Sequence, residues 1–449
     1  MNILVLNGSP KGRYSITLQT VNYLEKLYPE HTFEVLHVGA RIKSLEKDFS
    51  PATEALSRAE LVIFSYPVYT FIAPYQLHRF IELLKENGVS VAGKVATQLT
   101  TSKHFYDVTA HRYIEDNSAD LGMNYVRGLS ADMDDLLTEK GQAEARAFFE
   151  YVNFCIENKT YERPSVTSRE YTGVVADIPE ISDSEKSGDI VVLTNCEPSD
   201  VGLSSMISRF SRVSERRVRV VNIREYPFGG GCLGCFGCAT SGKCVYKDGF
   251  DAFLREEIQT AEAMVIAFRI KDHSMGASFK LYDDRQFCNG HRTVTMGMPI
   301  GYLVCGDYAN EQNLQTIIEA RADVGSNFLA GVATDGSDPN REIDALARTL
   351  EYALENKYVP PQRFYGIGGM KIFRDLIWLM QGMMKADHKF YKKHGQYDFP
   401  QKKRGTMIKM YLVGALISNP KIKAKMGNKM NEGMLMPYKK LLDGVKPRK

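Results

Sequence analysis

The amino-acid sequence predicts an α/β protein with two tandem, doubly wound parallel sheets and a basic helical extension at the C-terminus. Three observations support this: β-rich apolar runs alternate with helix-length amphipathic stretches, the pattern occurs twice, and positive charge is concentrated near the C-terminus. Strands that alternate with helices are typical of parallel sheets covered by helices on both faces. With 449 residues and an apolar fraction of 44%, the chain is long enough for two or three globular domains.

The expected strands are short apolar runs at corresponding positions of two copies of one unit. They are predicted at 3–6, 61–64 and 95–99 in the first copy and at 190–193, 264–268 and 300–304 in the second. The clearest alignment of the copies runs without a gap at an offset of 202, which pairs Glu82 with Asp284, and both copies end on Glu-Asn-Lys. Tandem duplication is the economical explanation. The predicted division is a domain at 1–160, a Ser-, Glu-, Thr- and Pro-rich linker at 161–187, a domain at 188–358 and a tail at 359–449.

The first strand leads into a loop that has the composition of an anion site. Residues 7–17 are rich in Gly, Ser and Thr and precede a predicted helix at 18–27. The first-turn N–H groups of a helix have no intrahelical partners, and the helix dipole favours a phosphate there. Ser9, Ser15 and Thr17 add hydroxyl groups, and Lys11 and Arg13 add positive charge. The loop is neither a dinucleotide fingerprint nor a Walker A loop. It therefore predicts phosphate binding, with a simple N-cap at Ser15 as the alternative.

Two further loops follow strands that are expected to end at the same sheet edge. Residues 65–77 form an aromatic loop stiffened by prolines, and residues 100–106 carry hydroxyl and aromatic side chains. Open parallel sheets bind ligands at the carboxyl ends of their strands. Flat side chains and rigid prolines there suit the isoalloxazine ring of a flavin. For His104 a solvated loop position is as good an interpretation as a ring contact.

The second copy contains Cys232, Cys235, Cys238 and Cys244 within thirteen residues, interleaved with glycines. The C-x2-C-x2-C spacing followed by one more cysteine favours a 4Fe-4S cluster. Structural zinc usually takes two knuckles separated by a dozen or more residues, so zinc fits less well, and uncommitted thiols remain the other alternative. Disulfides are not expected because the N-terminus has no secretory signal.

Taken together, these motifs resemble the NADPH-dependent FMN reductases of the flavodoxin-like superfamily. The cysteine run, with Lys280, Asp284 and Arg285, resembles their iron-sulfur flavoprotein branch, whose members carry FMN and a 4Fe-4S cluster. The resemblance covers about residues 1–357 and implies NAD(P)H as co-substrate. It implies FMN contacts from Ser9, Lys11, Ser15, Thr17, Pro67, Val68, Tyr69 and Thr101, and cluster ligation by Cys232, Cys235, Cys238 and Cys244. Arg13, Thr70 and Ser102, in the same loops, complete the predicted flavin set.

The second copy departs from the flavin pattern. Glu197 stands where a phosphate donor is expected and would repel phosphate, and Arg269 replaces Pro67. We therefore expect a pseudo-dimer within one chain, in which FMN of the first domain faces the cluster of the second. The predicted function is an NAD(P)H-dependent oxidoreductase that passes electrons from FMN to the cluster and on to an unknown acceptor. No catalytic acid or base is nominated. A quinone or nitro-compound reductase with a zinc-filled or empty cysteine site remains open, as does a non-catalytic electron carrier or redox sensor.

The C-terminal tail differs from the rest of the chain in its strongly positive charge. Residues 366–449 contain 19 lysines and arginines against 5 acidic residues. A helix is predicted at 371–385, and its apolar stripe consists of Phe373, Leu376, Ile377, Met380, Met383 and Met384. The favoured interpretation is that the stripe packs on the protein; the alternative is contact with an anionic membrane surface or an acidic protein. No recognition motif for nucleic acid accompanies the charge. We expect a cytoplasmic protein without a spanning helix, with peripheral membrane association and a homodimer left open.

Overall fold

The computed structural model describes residues 1–162, 171–180, 186–421, 435, 438–439 and 441–443. Parts of the predicted linker, 163–170 and 181–185, lie outside the described residues, as do 422–434 of the predicted tail. The chain divides into two compact units, Met1–Tyr391 and Lys392–Lys449. Both sheets belong to the first unit, which also contains the beginning of the predicted tail.

Two parallel sheets form the centre of the first unit. The first contains β1 (Asn2–Asn7), β2 (Thr32–Leu36), β3 (Leu61–Pro67), β4 (Val95–Ser102), β5 (Asn124–Tyr125) and β6 (Leu129–Asp132). The second contains β7 (Ile190–Thr194), β8 (Val218–Asn222), β9 (Ala263–Arg269), β10 (Pro299–Cys305) and β11 (Phe328–Thr334). Their orders are β2-β1-β3-β4-β5, with β6 on β4, and β8-β7-β9-β10-β11. Both follow the flavodoxin-like order 2-1-3-4-5, so the predicted fold class is confirmed.

Helices cover both faces of each sheet. Those of the first half are α1 (Ile16–Leu27), α2 (Val38–Leu45), α3 (Ser50–Arg58), α4 (Tyr75–Glu86), α5 (Asp107–Asp120) and α6 (Glu139–Asn158). Those of the second half are α7 (Val201–Val213), α8 (Gly237–Ser241), α9 (Phe250–Phe253), α10 (Gly276–Arg285), α11 (Gln312–Gly325) and α12 (Pro339–Asn356). In β1, Leu4 and Leu6 enter one apolar core while Ile3 and Val5 enter the other. Two-sided burial explains why the strands are nearly continuous apolar runs.

The two halves meet through α4 and α10, which cap each other. The Glu82 carboxylate accepts a hydrogen bond from the N–H of Ala277 at 2.8 Å, at the start of α10. In return, the Asp284 carboxylate accepts one from the N–H of Tyr75 at 2.7 Å, at the start of α4. The partners Tyr75 and Ala277, like Glu82 and Asp284, are separated by the same offset of 202 residues. This reciprocity is the contact pattern of an isologous dimer, here within one chain.

The C-terminal part of the first unit packs against this body. Helices α13 (Phe364–Leu379) and α14 (Lys385–Lys393) follow the second sheet. Phe373 stacks on Phe105 with ring centroids 4.2 Å apart, and Ile377 and Met384 are buried, so these members of the predicted stripe pack on the protein, whereas Met383 is 44% exposed. The predicted bounds of the helix, 371–385, are wrong at both ends. The helix begins earlier, at Phe364, and it ends earlier, at Leu379, where a turn that contains Gly382 follows.

The second compact unit contains α15 (Arg404–Ile417). Over the described part of the chain, no helix combines the length and the apolar character that crossing a membrane requires.

Candidate functional site

A cavity of about 450 Å³ lies at the carboxyl ends of β1, β3 and β4, and both halves of the first unit line it. Its volume is in the range of sites that bind small molecules. The cavity brings together most of the side chains that the sequence nominated for a flavin: Ser9, Lys11, Ser15, Thr17, Pro67, Val68, Tyr69, Thr70, Thr101 and Ser102. All four clustered cysteines, Cys232, Cys235, Cys238 and Cys244, line the same cavity. The two predicted cofactor sites are therefore one continuous space.

Arg13 is the nominated flavin residue that the structure does not bring to the cavity. Its side chain is exposed, donates a hydrogen bond to the Tyr14 hydroxyl at 2.7 Å, and lies over the Tyr14 ring. The neighbouring Lys11 does line the cavity, and its ammonium lies 5.7 Å from the centroid of the Phe236 ring in the cysteine segment.

The phosphate loop is fixed by hydrogen bonds before any ligand arrives. Ser15 is the N-cap of α1, and its Oγ accepts a bond from the N–H of Leu18 at 3.4 Å. The hydroxyls of Thr17 and Thr101 lie 2.6 Å apart, which joins the first loop to the third. Asn7, which the sequence did not single out, accepts from the N–H of Ser9 at 3.1 Å. The loop therefore presents the first turn of α1, where unpaired N–H groups favour an anion, in a preformed shape.

The aromatic loop after β3 holds a strained backbone. Thr70 and Phe71 have left-handed dihedrals, with φ of 42° and 73°, a conformation that costs roughly 1–3 kcal/mol per residue. The second half supplies the restraint. The Lys280 ammonium donates to the Tyr69 carbonyl at 3.0 Å and to the Thr70 hydroxyl at 2.6 Å, and Arg321 donates to the Thr70 carbonyl at 3.2 Å. One half of the chain thus shapes the aromatic loop of the other.

A buried network of charges anchors these donors. Lys280, Asp283 and Asp284 are at most 1% exposed, and the Lys280 ammonium contacts both carboxylates. Arg321 donates to Asp283 at 2.6 Å. Burial opposes ionisation of Asp283, but the charges of Arg321 and Lys280 outweigh it and hold the pKa of this carboxyl at about 2. Removing one member of such a network would leave an uncompensated buried charge.

The cysteine segment lies against the aromatic loop that follows β3. Gly234 and Phe236 both have φ of 60°, so the chain turns twice through the left-handed region between Cys232 and Cys238. A Cβ on Gly234 would overlap the Tyr69 hydroxyl, so this glycine permits the close approach of the two loops. Desolvation by burial raises the pKa of Cys238 to about 11. Such a thiol needs a cation at the site to become a thiolate ligand at neutral pH.

A buried arginine holds both ends of the cysteine segment. Arg285 is 1% exposed and forms two hydrogen bonds to Asp248, at 2.7 and 2.8 Å, while it donates to the Gly230 carbonyl at 2.9 Å. Its Nη2 lies 3.9 Å from the sulfur of Cys244. The guanidinium hydrogen bonds to Asp248 lower the pKa of that carboxyl to about 2. Arg285 therefore closes the base of the segment and brings a positive charge to one thiol.

The cysteine segment has the donor set of a metal site, but its sulfurs are not arranged around one point. Among the residues with described positions, no three His, Cys, Asp or Glu side chains are grouped so that they could hold a metal ion. Cys232, Cys235, Cys238 and Cys244 nevertheless line one cavity and supply the all-sulfur donor set of iron-sulfur and structural zinc sites. The donor chemistry fits, and ligation requires the four sulfurs to draw together.

The equivalent phosphate loop of the second half is filled by the protein itself. Asp200 caps α7 by accepting from the N–H of Leu203 at 3.0 Å and pairs with Arg269 through two hydrogen bonds of 2.6 and 2.7 Å. A carboxylate and a guanidinium thus occupy the helix N-terminus. The sequence suggested Glu197 for this repulsion, but Glu197 is exposed and pairs with Arg224 at 3.0 Å. The signal that sequence reasoning missed is Asp200, because aspartate directly before an apolar helix is typical of an N-cap.

The C-terminal part of the first unit forms one wall of the cavity, which sequence reasoning did not foresee. Phe373 of α13 lines the cavity together with neighbouring apolar residues of that helix. Asp387 of α14 is fully buried and contacts His291 at 3.0 Å and Arg292 at 3.2 Å. The Thr240 hydroxyl of the cysteine segment donates to the Met383 carbonyl at 2.8 Å. The segment after the second sheet is therefore part of the site.

Comparison with known proteins bears on the first half. A family model described as "Flavodoxin-like fold" matches residues 1–138. The curated FMN-dependent NADH:quinone oxidoreductase 2 of Pseudomonas syringae pv. tomato is 29% identical over 118 residues, which are 20% of this chain and 56% of that protein. The chain thus spans little more than half the length of this relative.

Two of the solved structures to which this chain is similar are named as oxidoreductases. The NAD(P)H:quinone oxidoreductase from Methanothermobacter marburgensis is 14% identical, with a TM-score of 0.27, over 36% of this chain and 98% of that one. The FMN-dependent NADH-azoreductase from Bacillus anthracis str. Ames Ancestor is 13% identical, with a TM-score of 0.25, over 35% of this chain and 98% of that one.

Proposed function

We propose that this chain is an NAD(P)H-dependent flavin oxidoreductase. In this proposal FMN is held by the first half and passes electrons to a cofactor held by the cysteine segment, from which they go to an unknown acceptor. The observation that supports it most is the single cavity, whose lining combines a phosphate loop, an aromatic loop and four cysteines. A shared cavity would keep two redox centres close to each other.

The residues of the first half suit FMN. The phosphate would lie at the N-terminus of α1, where Ser9, Thr17 and Lys11 supply hydroxyl groups and a positive charge. The ring would lie against the loop of Tyr69 and the hydroxyl of Thr101. When bound, FMN accepts a hydride and releases electrons singly, so the protein's work is to bind, orient and exclude competing reactions. The buried network around Lys280 performs the orientation, because it fixes the carbonyl of Tyr69.

The cysteine segment suits a metal centre, and a 4Fe-4S cluster is the finer proposal. The spacing of Cys232, Cys235, Cys238 and Cys244, with glycines between them, is typical of cluster ligands. Zinc on the same sulfurs is the alternative that the donor set also allows. The guanidinium of Arg285, near Cys244, would stabilise negative charge on that ligand.

We further propose that the two halves arose by tandem duplication and then divided the cofactors between them. The gapless offset of 202, the identical strand orders and the reciprocal caps of α4 and α10 support common origin. The Asp200–Arg269 pair supports loss of the second flavin site, because it fills the position that a phosphate would take. A homodimer between chains is not required to complete the site.

A quinone reductase without electron transfer through the cysteines is the second candidate. It is favoured by the name of the curated relative and by the apolar wall of Phe105, Phe373 and Leu376 beside the flavin loops. In this case the acceptor enters the cavity and takes electrons from FMN directly.

An anaerobic reduction experiment distinguishes these functions. The purified full-length chain is mixed with NADH or NADPH, and flavin absorbance is followed for the parent protein and for Cys235→Ser, whose thiol is exposed. We expect rapid flavin bleaching in both, followed in the parent alone by a slower absorbance change of the cysteine-held cofactor. Equal turnover of both proteins with a quinone would favour the second candidate. Bleaching by dithionite alone would refute the reductase and indicate an electron carrier.

A further inference from the structure

The second compact unit presents a helix whose apolar side chains face solvent. Seven large apolar residues of α15 are substantially exposed, from 39% to 79%: Met407, Ile408, Met410, Tyr411, Leu412, Val413 and Leu416. A helix that is apolar on all sides is normally buried in a protein core or in a membrane. Further along the chain, Leu435, Tyr438, Leu441 and Leu442 are more than 60% exposed as well. This amount of exposed apolar surface indicates a binding surface rather than scattered surface residues.

The charges around α15 specify what it binds. Residues 400–421 include five basic side chains and no acidic one: Lys402, Lys403, Arg404, Lys409 and Lys421. Asp398, just before them, pairs with Lys403 at 3.3 Å and neutralises one of the five charges. The segment remains strongly positive. A cluster of basic residues beside exposed apolar and aromatic side chains is the pattern of helices that bind anionic lipid surfaces.

We propose that the second compact unit binds an anionic lipid bilayer through α15. The helix has 14 residues, or about 21 Å, which is shorter than the ~30 Å hydrocarbon core, so it lies in the boundary between headgroups and acyl chains. Its apolar residues enter the acyl region while the basic residues contact lipid phosphates. A second copy of the chain is a poorer occupant, because pairing two such helices would bring their positive charges together.

The test is cosedimentation of the full-length protein with lipid vesicles. Vesicles of phosphatidylcholine alone are compared with vesicles that contain phosphatidylglycerol. We expect binding to the anionic vesicles that weakens with salt. The double variant Ile408→Glu and Leu412→Glu is expected to lower the bound-to-free ratio at least tenfold, because two apolar side chains would carry charge into the acyl region. Charge removal at Lys402, Lys403 and Arg404 by glutamine is expected to lower binding to anionic vesicles on the order of a hundredfold.

A matched control separates this effect from a general change of charge. Leu137 and Val201, which lie in the first unit and are 82% and 66% exposed, are replaced by glutamate in a second double variant. This control is expected to bind vesicles as the parent does. Absence of parent binding to anionic vesicles would overturn the proposal, as would equal loss in the control. A larger mass of the parent in sedimentation velocity without lipid, abolished by the α15 variant while vesicle binding persists, would assign α15 to self-association instead.

Discussion

Replacement of Ser15 by aspartate tests the phosphate site with little change in the fold. Ser15 is the N-cap of α1 and is 2% exposed, and aspartate caps helices as well as serine does. The second half already contains this arrangement, since Asp200 caps α7 and pairs with Arg269. The substitution therefore converts the first site to the state that we assign to the second, but without the compensating arginine.

The magnitude follows from Coulomb's law. One carboxylate charge about 5 Å from a phosphate dianion costs about 1.7 kcal/mol at the dielectric constant of water and about 6.6 kcal/mol at an effective constant of 20. Because Ser15 is buried, the higher end of this range applies. Even the lower value weakens FMN binding about fifteenfold.

The assay is a fluorescence titration of flavin-free protein with FMN. Ser15→Asn is the matched control, because asparagine caps as well as aspartate and has nearly the same shape without the charge. We expect Ser15→Asn to bind FMN within tenfold of the parent and Ser15→Asp to bind far more weakly. Ser15→Asn should stay within about 1 kcal/mol of the parent in its unfolding free energy, whereas the buried carboxylate of Ser15→Asp is expected to cost roughly 1–3 kcal/mol, so circular dichroism must show that both variants are folded before the titration. Equal affinities of the two variants would refute phosphate binding at α1.

Two further predictions concern the contact between the halves. Asp284→Ala leaves the buried Lys280 with one carboxylate fewer and removes the cap of α4. Urea unfolding should therefore show a free energy of unfolding that is lower by about 3–5 kcal/mol. The control Glu34→Gln, which breaks an exposed ion pair, should lower it by less than about 1 kcal/mol. Equal costs would contradict the network. Burial opposes the charge on His273, but hydrogen bonds to two carboxylates raise its pKa to about 10. The protonated imidazole therefore stabilises the folded state fully below pH 6.5, and this contribution disappears as pH rises towards 10. His273→Gln should therefore lose on the order of 3 kcal/mol at pH 6 and almost nothing near pH 10; a pH-independent difference would contradict this.

The fold was predictable because its signals are local. Buried parallel strands read as apolar runs, and the loops that follow β1, β3 and β4 must meet at one edge of the sheet. That rule alone placed Ser9, Tyr69 and Thr101 in one cavity. It could not orient individual side chains, and Arg13 turns towards Tyr14 and solvent because nothing in the loop's sequence fixes its direction.

The features that sequence analysis missed depend on contacts between distant segments. Asp387 and His291 are separated by 96 residues, and no spacing rule connects them. Lys280 was noted as part of a motif, yet its contact with the carbonyl of Tyr69, 211 residues away, appears only when α4 and α10 pack. Asp200 was overlooked because its role depends on its pairing with Arg269, which lies at the end of β9.

The most direct test of the central claim is a cofactor count on anaerobically purified full-length protein. FMN, iron and zinc are quantified per chain for the parent and for a variant with Cys232 and Cys235 both replaced by serine. We predict one FMN and about four iron atoms per chain in the parent, with the iron lost and the FMN retained in the variant. Two flavins per chain, or a parent protein that contains neither iron nor zinc, would contradict it.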